Sequence, residues 1–209
     1  MASEINICNL ALGKLGAHSI TSFADGVVES EQCKLQYPLI RDAVLEARDW
    51  TFATFEVPLT QVSSPADLPP EYAFAFALPL DCLLIRYCFL PSNVAAPGGA
   101  VLYQDSTSEQ RQRRPPWNRF GDVCVTNQSV LWARYIRRIT DTTKFTSGFI
   151  QALASRLASE LAMPLTNKVE LQAELLKETE LKMREASGRD GSQGTPQVIQ
   201  VSQLTRARY

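Results

Sequence analysis

The chain has few of the residue arrangements that catalytic sites require. Its single histidine, His18, follows the first predicted helix without a partner nearby in sequence, and no nucleophile is paired with a base by spacing. The glycines at 98–99 and 188–194 do not follow a strand and open a helix, so they do not form a phosphate loop. Arg41 and Asp42 are adjacent, but a structural or surface ion pair is the expected role of such neighbours. We therefore expect no catalysed reaction and no cofactor.

Cysteine usage argues against disulfides and zinc. The five cysteines are odd in number and irregularly spaced, at positions 8, 33, 82, 88 and 124. The closest pair is C-x5-C, whereas zinc sites use C-x2-4-C pairs with histidines near them. Free thiols that pack as small hydrophobic side chains are the expected state.

Net charge and long apolar runs are also lacking. The 21 basic and 22 acidic side chains leave a net charge of -1, which gives no general attraction to nucleic acid or anionic membrane. No apolar run approaches the roughly 18–20 residues that span a bilayer. The N-terminal MASEIN carries an acidic residue and leads into a helical pattern, which is not typical of a signal peptide. We expect a protein made in a cytoplasm, without a membrane partner.

Helical periodicity occurs at the two ends of the chain. Ser3 as N-cap and Gly16 as C-terminal stop predict a first helix up to about Leu15. A second helix is predicted from about Glu29 to Ala47, followed by the aromatic anchor Trp50. Its expected core positions are Leu35, Ile40, Val44 and Leu45.

The C-terminal third is predicted to contain two more helices. One has a leucine-rich row beside an alanine lane, formed by Phe149, Leu153, Leu157, Leu161, Ile150, Ala154, Ala158 and Ala162. Pro164 is expected to end this helix and Asn167 to cap the next, which runs to about Ser187 with Gly188 as its stop. The expected core positions of that last helix are Val169, Leu171, Ala173, Leu175, Leu176 and Leu181.

Between the helical ends, nine of the twelve prolines separate short runs of β-forming residues. These runs predict a small antiparallel sheet, with a hairpin in VTNQSVL that turns at Asn127-Gln128. The predicted fold class is therefore α+β. It combines a helical bundle from residues 1–50 and 145–187, a β-rich insertion over 51–144, and a linker with an extended C-terminal arm over 188–209.

Arginine is concentrated in one part of the insertion. Seven arginines and one acid, Asp122, lie between positions 111 and 138, which gives a local charge of +6. The arginines are 111, 113, 114, 119, 134, 137 and 138, with Trp117 among them. Such a mixture suits a subunit interface, a solvated surface or contact with phosphates and bases. We predict an interface with a neighbouring protein at Arg111, Arg113, Arg114, Trp117, Arg134, Arg137 and Arg138.

The C-terminal arm has its own composition. After a linker-like GRDGSQGTPQ, a short apolar run precedes a basic aromatic end. Such a segment buries little on its own chain, so it is a candidate for docking on a partner. The candidate docking residues are Val198, Ile199, Val201, Leu204, Arg206, Arg208 and Tyr209.

The stretch from Ile7 to Ala53 resembles a known family. It reads ICNLALGKLG, a loop with ADG, then C-x3-Y-x3-RD and AVLEARDWTFA. This order is similar to the start of the tail tubular protein A family, the head-to-tail adaptors of short-tailed bacteriophages. Similarity continues through YAFAFALPLDCL and the alanine-rich helix to about Ala186. The Arg-Pro-Pro-Trp region around 111–117 departs from the family pattern.

The resemblance implies a structural virion protein in the neck of the phage tail, assembled in the host cytoplasm. It implies a homo-oligomeric ring, a dodecamer, between the portal protein and the tail nozzle protein, with packaged DNA passing through without specific binding. It also implies that the C-terminal segment reaches along the portal. The residues leave two alternatives, namely a DNA-binding module that uses the arginines between 111 and 138, and an enzyme with an unrecognised site.

Overall fold

The computed structural model describes residues 3–63, 71–91 and 115–192, and these form four α-helices and seven β-strands. Every strand pair in these ranges is antiparallel. The predicted α+β class is confirmed. Because the described ranges stop at Ser192, the docking residues expected between 198 and 209 lie outside them, as do Arg111, Arg113 and Arg114.

The first two helices begin and end close to their predicted bounds. Helix α1 spans Glu4–Leu15, and the Ser3 hydroxyl accepts a hydrogen bond from the Asn6 amide at 3.1 Å. Gly16 ends α1 in the left-handed conformation, with φ 69°, which costs glycine little because it has no Cβ. Helix α2 spans Val28–Ala47. Local capping signals therefore suffice to define α1.

One predicted core position of α2 is wrong. Leu35 is 63% exposed, because the buried line of the helix runs through Cys33, Tyr37, Ile40 and Val44. At about 100° per residue, position 35 lies about 200° away from position 33 and faces outward. The other three predicted core positions are buried, namely Ile40, Val44 and Leu45.

Helix α3 spans Ser147–Thr166 and contacts each of the other three helices. Its predicted apolar face is confirmed, since all members of the two rows are buried except the half-buried Ile150. Pro164 does not end the helix but lies in its last turn. Asn167 does not cap the next helix. It ends α3 at φ 54°, and its amide donates to the Met163 carbonyl, because asparagine adopts the left-handed conformation more readily than most residues.

Helix α4 spans Val169–Gly191, so the prediction that it ends before Gly188 is wrong. Of its predicted core positions Leu175 is buried, and two are half-buried, Leu171 and Leu176. The remaining three, Val169, Ala173 and Leu181, are exposed. Helix α4 therefore contributes a narrower apolar face than α3, and it packs mainly on α3.

The strands between α2 and α3 form two sheets rather than one. In chain order they are β1 (Thr54–Pro58), β2 (Thr60–Val62), β3 (Phe74–Ala77), β4 (Cys82–Phe89), β5 (Trp117–Phe120), β6 (Val123–Thr126) and β7 (Trp132–Arg137). The first sheet has the order β1-β7-β4, and the second has the order β2-β3-β6-β5.

The predicted hairpin at Asn127-Gln128 is wrong. β6 and β7 flank this turn, but they belong to different sheets and do not pair. The pairing partner of β6 is β5, whose register places Phe120 opposite Val123 across a turn at Gly121 with φ 57°. Strand β5 is not among the β-forming runs predicted from the sequence, since it includes an asparagine and follows two prolines.

The main core joins the first sixty residues to α3. Trp50 is fully buried and packs edge-to-face on Phe149, with ring centroids 5.0 Å apart. Phe52 and Phe145 complete the aromatic cluster around Phe149. A second, smaller core lies among the strands, around Phe76, Cys88, Cys124 and Leu131.

Candidate functional site

The arginines of β7 pair with acidic and aromatic side chains of their own chain. Arg134 lies opposite Glu56 in the β1–β7 register and opposite Tyr87 in the β4–β7 register. Its Nη1 is 3.4 Å from Glu56 Oε1 and donates to the Tyr87 hydroxyl at 3.2 Å. The Arg137 guanidinium lies over the Phe55 ring at 4.8 Å. Cross-strand neighbours therefore determine where these two arginines lie.

Asp81, just before β4, organises the end of the first sheet. It accepts hydrogen bonds from Arg137 Nε and from the Tyr135 hydroxyl, the latter at 3.2 Å, and its backbone carbonyl accepts from the Arg138 amide at 2.8 Å. The hydrogen bond with Asp81 raises the pKa of Arg137. Burial, together with the Asp81 charge, raises the pKa of Tyr135 to about 12. Asp81 therefore binds three residues at the end of β7, which are Tyr135, Arg137 and Arg138.

A second carboxylate joins this sheet to α2. Asp42 Oδ2 accepts from Arg138 Nε at 2.9 Å, and Asp42 Oδ1 accepts from the buried Arg41 at 2.9 Å. The expectation that Arg41 and Asp42 form an ion pair is confirmed. Arg41 is only 6% exposed, so its guanidinium has little access to water, and the Asp42 carboxylate compensates its positive charge.

Arg86 of β4 adds a further link between the sheet and α2. Its guanidinium pairs with Asp49 and donates to the Glu46 carbonyl at 3.2 Å, near the end of α2. We call the residues Arg41, Asp42, Asp49, Arg86 and Arg138 the helix–sheet seam. The sequence predicts the ion pair at Arg41-Asp42 but gives no sign of the role of Arg86, since only the tertiary structure places β4 beside the end of α2.

Trp117 and Arg119 lie on β5 at one edge of the second sheet. Trp117 is half-buried against the smaller core. Arg119 Nε donates to the Gly121 carbonyl at 2.9 Å. The structure therefore separates the predicted interface residues, with Trp117 on one sheet and Arg134, Arg137 and Arg138 on or beside the other.

The outer face of α2 carries an apolar stripe. Val28, Leu35 and Leu39 are 59%, 63% and 68% exposed. Their spacings of seven and four residues place them within about 40° of one another around the helix. We call these three residues the α2 stripe. Exposed acids adjoin it at Glu31 near its start and Glu46 near the end of α2.

The end of α4 is attached beside the end of α2. Asp190 is 3% exposed and accepts from the Thr51 amide at 2.5 Å and the Thr51 hydroxyl at 2.7 Å. The neighbouring Trp50 donates its indole Nε1 to the Val44 carbonyl at 2.9 Å, in the last turns of α2. Ser192, where the described chain stops, is therefore close to the C-terminal end of α2.

All five cysteines are free, and four of them are buried. The neighbouring Cys33 thiol and burial together raise the pKa of Cys8, and Cys124 and burial do the same for Cys88. Burial raises the pKa of the half-buried Cys82 to about 11. These three thiols therefore carry little thiolate, the form that attacks substrates and binds metals, whereas the hydrogen bonds from Cys8 and Cys88 lower the pKa of Cys33 and of Cys124.

An open hollow of about 540 Å³ lies beside the start of α1. Its polar lining includes Ser3, Glu4, Thr21 and Lys34, and neither a histidine nor a cysteine lines it. Within the described ranges no group of three histidine, cysteine or acidic side chains could hold a metal ion. In the same ranges no helix is both long and apolar enough to cross a bilayer. His18 is exposed, as expected.

No protein-family model matches the chain, and no curated protein matches it.

Proposed function

We propose that this chain is a head-to-tail adaptor of a short-tailed bacteriophage. It would be a structural virion protein that forms a ring, a dodecamer, between the portal protein and the tail nozzle protein and extends the DNA channel. In this role residues 1–50 and 145–187 form the helical bundle, 51–144 form the β-rich insertion, and residues beyond 188 provide the arm that reaches the portal. No reaction is catalysed.

The observation that carries the proposal is the contact between Trp50 and Phe149. Trp50 closes the first block that resembles the adaptor family, and Phe149 opens the alanine-rich helix that resembles its last block. Nearly a hundred residues separate them in sequence, yet their rings meet at 5.0 Å in the main core. Blocks chosen by resemblance alone thus belong to one packed unit.

The helix–sheet seam also supports an adaptor role. An adaptor transmits force between portal and nozzle, so its helical part and its β-rich part should move together. Two ion pairs of the seam, Arg138–Asp42 and Arg86–Asp49, link the first sheet to α2 and the residues that follow it. The seam also contains the buried Arg41, which shares the Asp42 carboxylate with Arg138. Removing that carboxylate would leave a buried guanidinium without a partner, so breaking the seam costs more than breaking two exposed ion pairs.

The pairing of β7 arginines suits a channel that does not retain DNA. Arg134, Arg137 and Arg138 each have a carboxylate of the same chain within 3.4 Å or less. A neutralised arginine contributes little to phosphate binding, which depends on uncompensated positive charge. The alternative role as a DNA-binding module would therefore rest on the remaining arginines of the 111–138 region.

Electron microscopy of negatively stained samples tests the proposal. The full chain is imaged alone and mixed with the portal protein of the same phage. A twelve-fold collar on the portal is the expected result, and a portal that stays bare after mixing would refute the adaptor role. A truncated chain ending at Ser192 keeps the Asp190–Thr51 attachment, and we expect it to lose the collar if the arm docks on the portal.

A duplex DNA titration discriminates the alternative. The adaptor role predicts weak binding between 50 and 200 mM salt. Tight binding that falls steeply over this range would favour a DNA-binding module. Arg119→Gln, which removes a β5 arginine without a carboxylate partner in the described structure, would then weaken that binding across all DNA sequences.

A further inference from the structure

The α2 stripe is an apolar line on one helix face that the described residues leave uncovered. Val28, Leu35 and Leu39 form one line along α2, on the side opposite its buried line. Single exposed apolar side chains are common, but three in a line on one helix indicate a surface that meets another segment. Exposed acids adjoin both ends of the stripe, at Glu31 in the first turn of α2 and at Glu46 near its end.

The chain that follows α4 starts at the right place to reach this face. Asp190 is attached to Thr51, and Trp50 is attached to Val44, so Ser192 lies near the C-terminal end of α2. Seventeen residues follow Ser192 in the sequence. At about 3.3 Å per residue they can extend over at most about 56 Å.

The α2 stripe is well within that reach. At about 1.5 Å per residue, Leu39 lies about 12 Å before the end of α2 at Ala47, Leu35 about 18 Å and Val28 about 29 Å. Val198 is six residues beyond Ser192, with a reach of about 20 Å, and Leu204 is twelve residues beyond it, with a reach of about 40 Å.

The segment after Ser192 and the outer face of α2 have a similar order of apolar and charged side chains. Beyond Ser192 the chain first has an apolar group and then a basic group, which are Val198, Ile199, Val201 and Leu204, followed by Arg206 and Arg208. Beyond Glu46 at the C-terminal end of α2, the outer face has Leu39 and Leu35 and then Glu31. A segment that runs back along α2 would place apolar groups on apolar groups and arginines beside the Glu31 carboxylate.

We propose that residues 193–209 dock along the α2 stripe of the same molecule, antiparallel to α2. Tethering favours this contact, because a linker of this length provides an effective concentration on the order of 1 mM. A contact with a dissociation constant of about 0.1 mM would then be about 90% formed within one chain. Under the adaptor role this inference has a consequence, since the portal and the α2 stripe would compete for the same segment.

Site-directed photo-cross-linking of the full chain tests the proposal. Leu35 is replaced by p-benzoylphenylalanine, a change that its exposure should tolerate. The matched control carries the same replacement at Leu181, which is 59% exposed on α4. Leu181 lies about 15 Å before the end of α4, so the segment can reach it as easily as Leu35. Circular dichroism verifies that both variants are folded.

Equal amounts of ¹⁴N- and ¹⁵N-labelled chains are irradiated together, and cross-linked peptides are identified by mass spectrometry. We expect position 35 to form cross-links to residues 198–209. Because a tethered contact should be formed most of the time, these products should be about tenfold more abundant than those from position 181. We expect them to join peptides of one isotope only. Mixed-isotope products as the main species would show docking on a second copy and overturn the proposal. Equal yields at 35 and 181, or no product with 193–209, would also overturn it.

Charge reversal provides a second measurement. In the Leu35 cross-linking background, Glu31→Lys should lower the yield at least about twofold at low salt, because it places a lysine beside the arginines. Salt at 0.5 M should weaken the dependence on this charge. A yield insensitive to both changes would exclude the proposed direction of docking. No portal protein is present in these experiments, so their outcome is independent of the adaptor role.

Discussion

Gly148→Ala is expected to destabilise the protein by separating α3 from α4. A Cβ placed on Gly148 would lie 2.8 Å from Ala186 Cβ and 3.3 Å from Ala186 Cα. Carbon atoms in contact prefer about 3.5–4.0 Å, so the overlap is about 0.7 Å or more. Alanine has no rotamer through which it could withdraw, so the helix backbones must move apart.

The magnitude follows from two opposing effects. Overpacking of this kind costs about 1–3 kcal/mol, while replacing a helical glycine by alanine gains about 0.5–1 kcal/mol. At the middle of each range, the net loss in the free energy of unfolding should be about 1 kcal/mol. Gly13 of α1 is the matched control, since a Cβ there would have no atom within 4 Å. Gly13→Ala should therefore raise the free energy of unfolding by about 0.5–1 kcal/mol.

Urea unfolding followed by circular dichroism and tryptophan fluorescence measures both variants. Coincident transitions from the two probes would justify a two-state treatment, and equal m-values would attribute the change to stability. The double variant Gly148→Ala with Ala186→Gly moves the methyl group from α4 to α3. We expect it to be more stable than the sum of the single changes by about 1–3 kcal/mol. A Gly148→Ala protein as stable as the parent, or strict additivity in the double variant, would refute the proposed packing.

Three further predictions concern charged and thiol groups. Asp42→Asn should lower the free energy of unfolding by about 1–3 kcal/mol, because the buried Arg41 and the half-exposed Arg138 lose their shared carboxylate. Because burial raises the pKa of Cys82 to about 11, its alkylation in the native protein should be slow at pH 7 and accelerate up to about pH 11. Two lysines lower the pKa of Glu178, so its ion pairs stabilise the fold above its ordinary pKa of 4.5, and this stability is lost as the pH falls through the lowered value.

Each of these predictions has a control and a contrary result. Glu180→Gln breaks an ion pair on α4 whose two side chains are more than 70% exposed, so it should change stability by less than about 0.5 kcal/mol. An equal loss in Asp42→Asn and Glu180→Gln would contradict the role of the buried guanidinium. Rapid alkylation of more than one thiol in native protein would contradict the burial of the other cysteines. Glu178→Gln should flatten the decline of stability between pH 7 and 3, and an unchanged profile would exclude the lysine pairs as its cause.

Local chemistry explains why most helices could be predicted from the sequence. The Ser3 cap and Gly16 act within a few residues, so both α1 ends follow from near neighbours. The periodic rows of α3 are long enough to specify a face, and its members are buried as predicted. Errors arise where a distant partner decides. Gly188 could have ended α4, but the helix continues to Gly191. The carboxylate of Asp190, in this last turn, binds Thr51.

The candidate site was harder to predict than the fold. The density of arginine between 111 and 138 is visible in the sequence, but it does not say which carboxylates are near. Asp42 and Asp81 lie in other parts of the chain and reach Arg138 and Arg137 only through sheet register and the packing of α2. The predicted interface at these arginines stays a prediction, and in the described structure they bind within their own chain.

The sequence by itself determined the α+β composition, the helix ends that depend on local caps and the apolar face of α3, because these depend on residues a few positions apart. Tertiary structure alone decided that the strands divide into two sheets and that Leu35 faces outward. It also decided which carboxylates pair with the β7 arginines. It also placed the end of α4 beside the end of α2. Each of these outcomes depends on contacts between residues far apart in the chain, whose geometry no local pattern records.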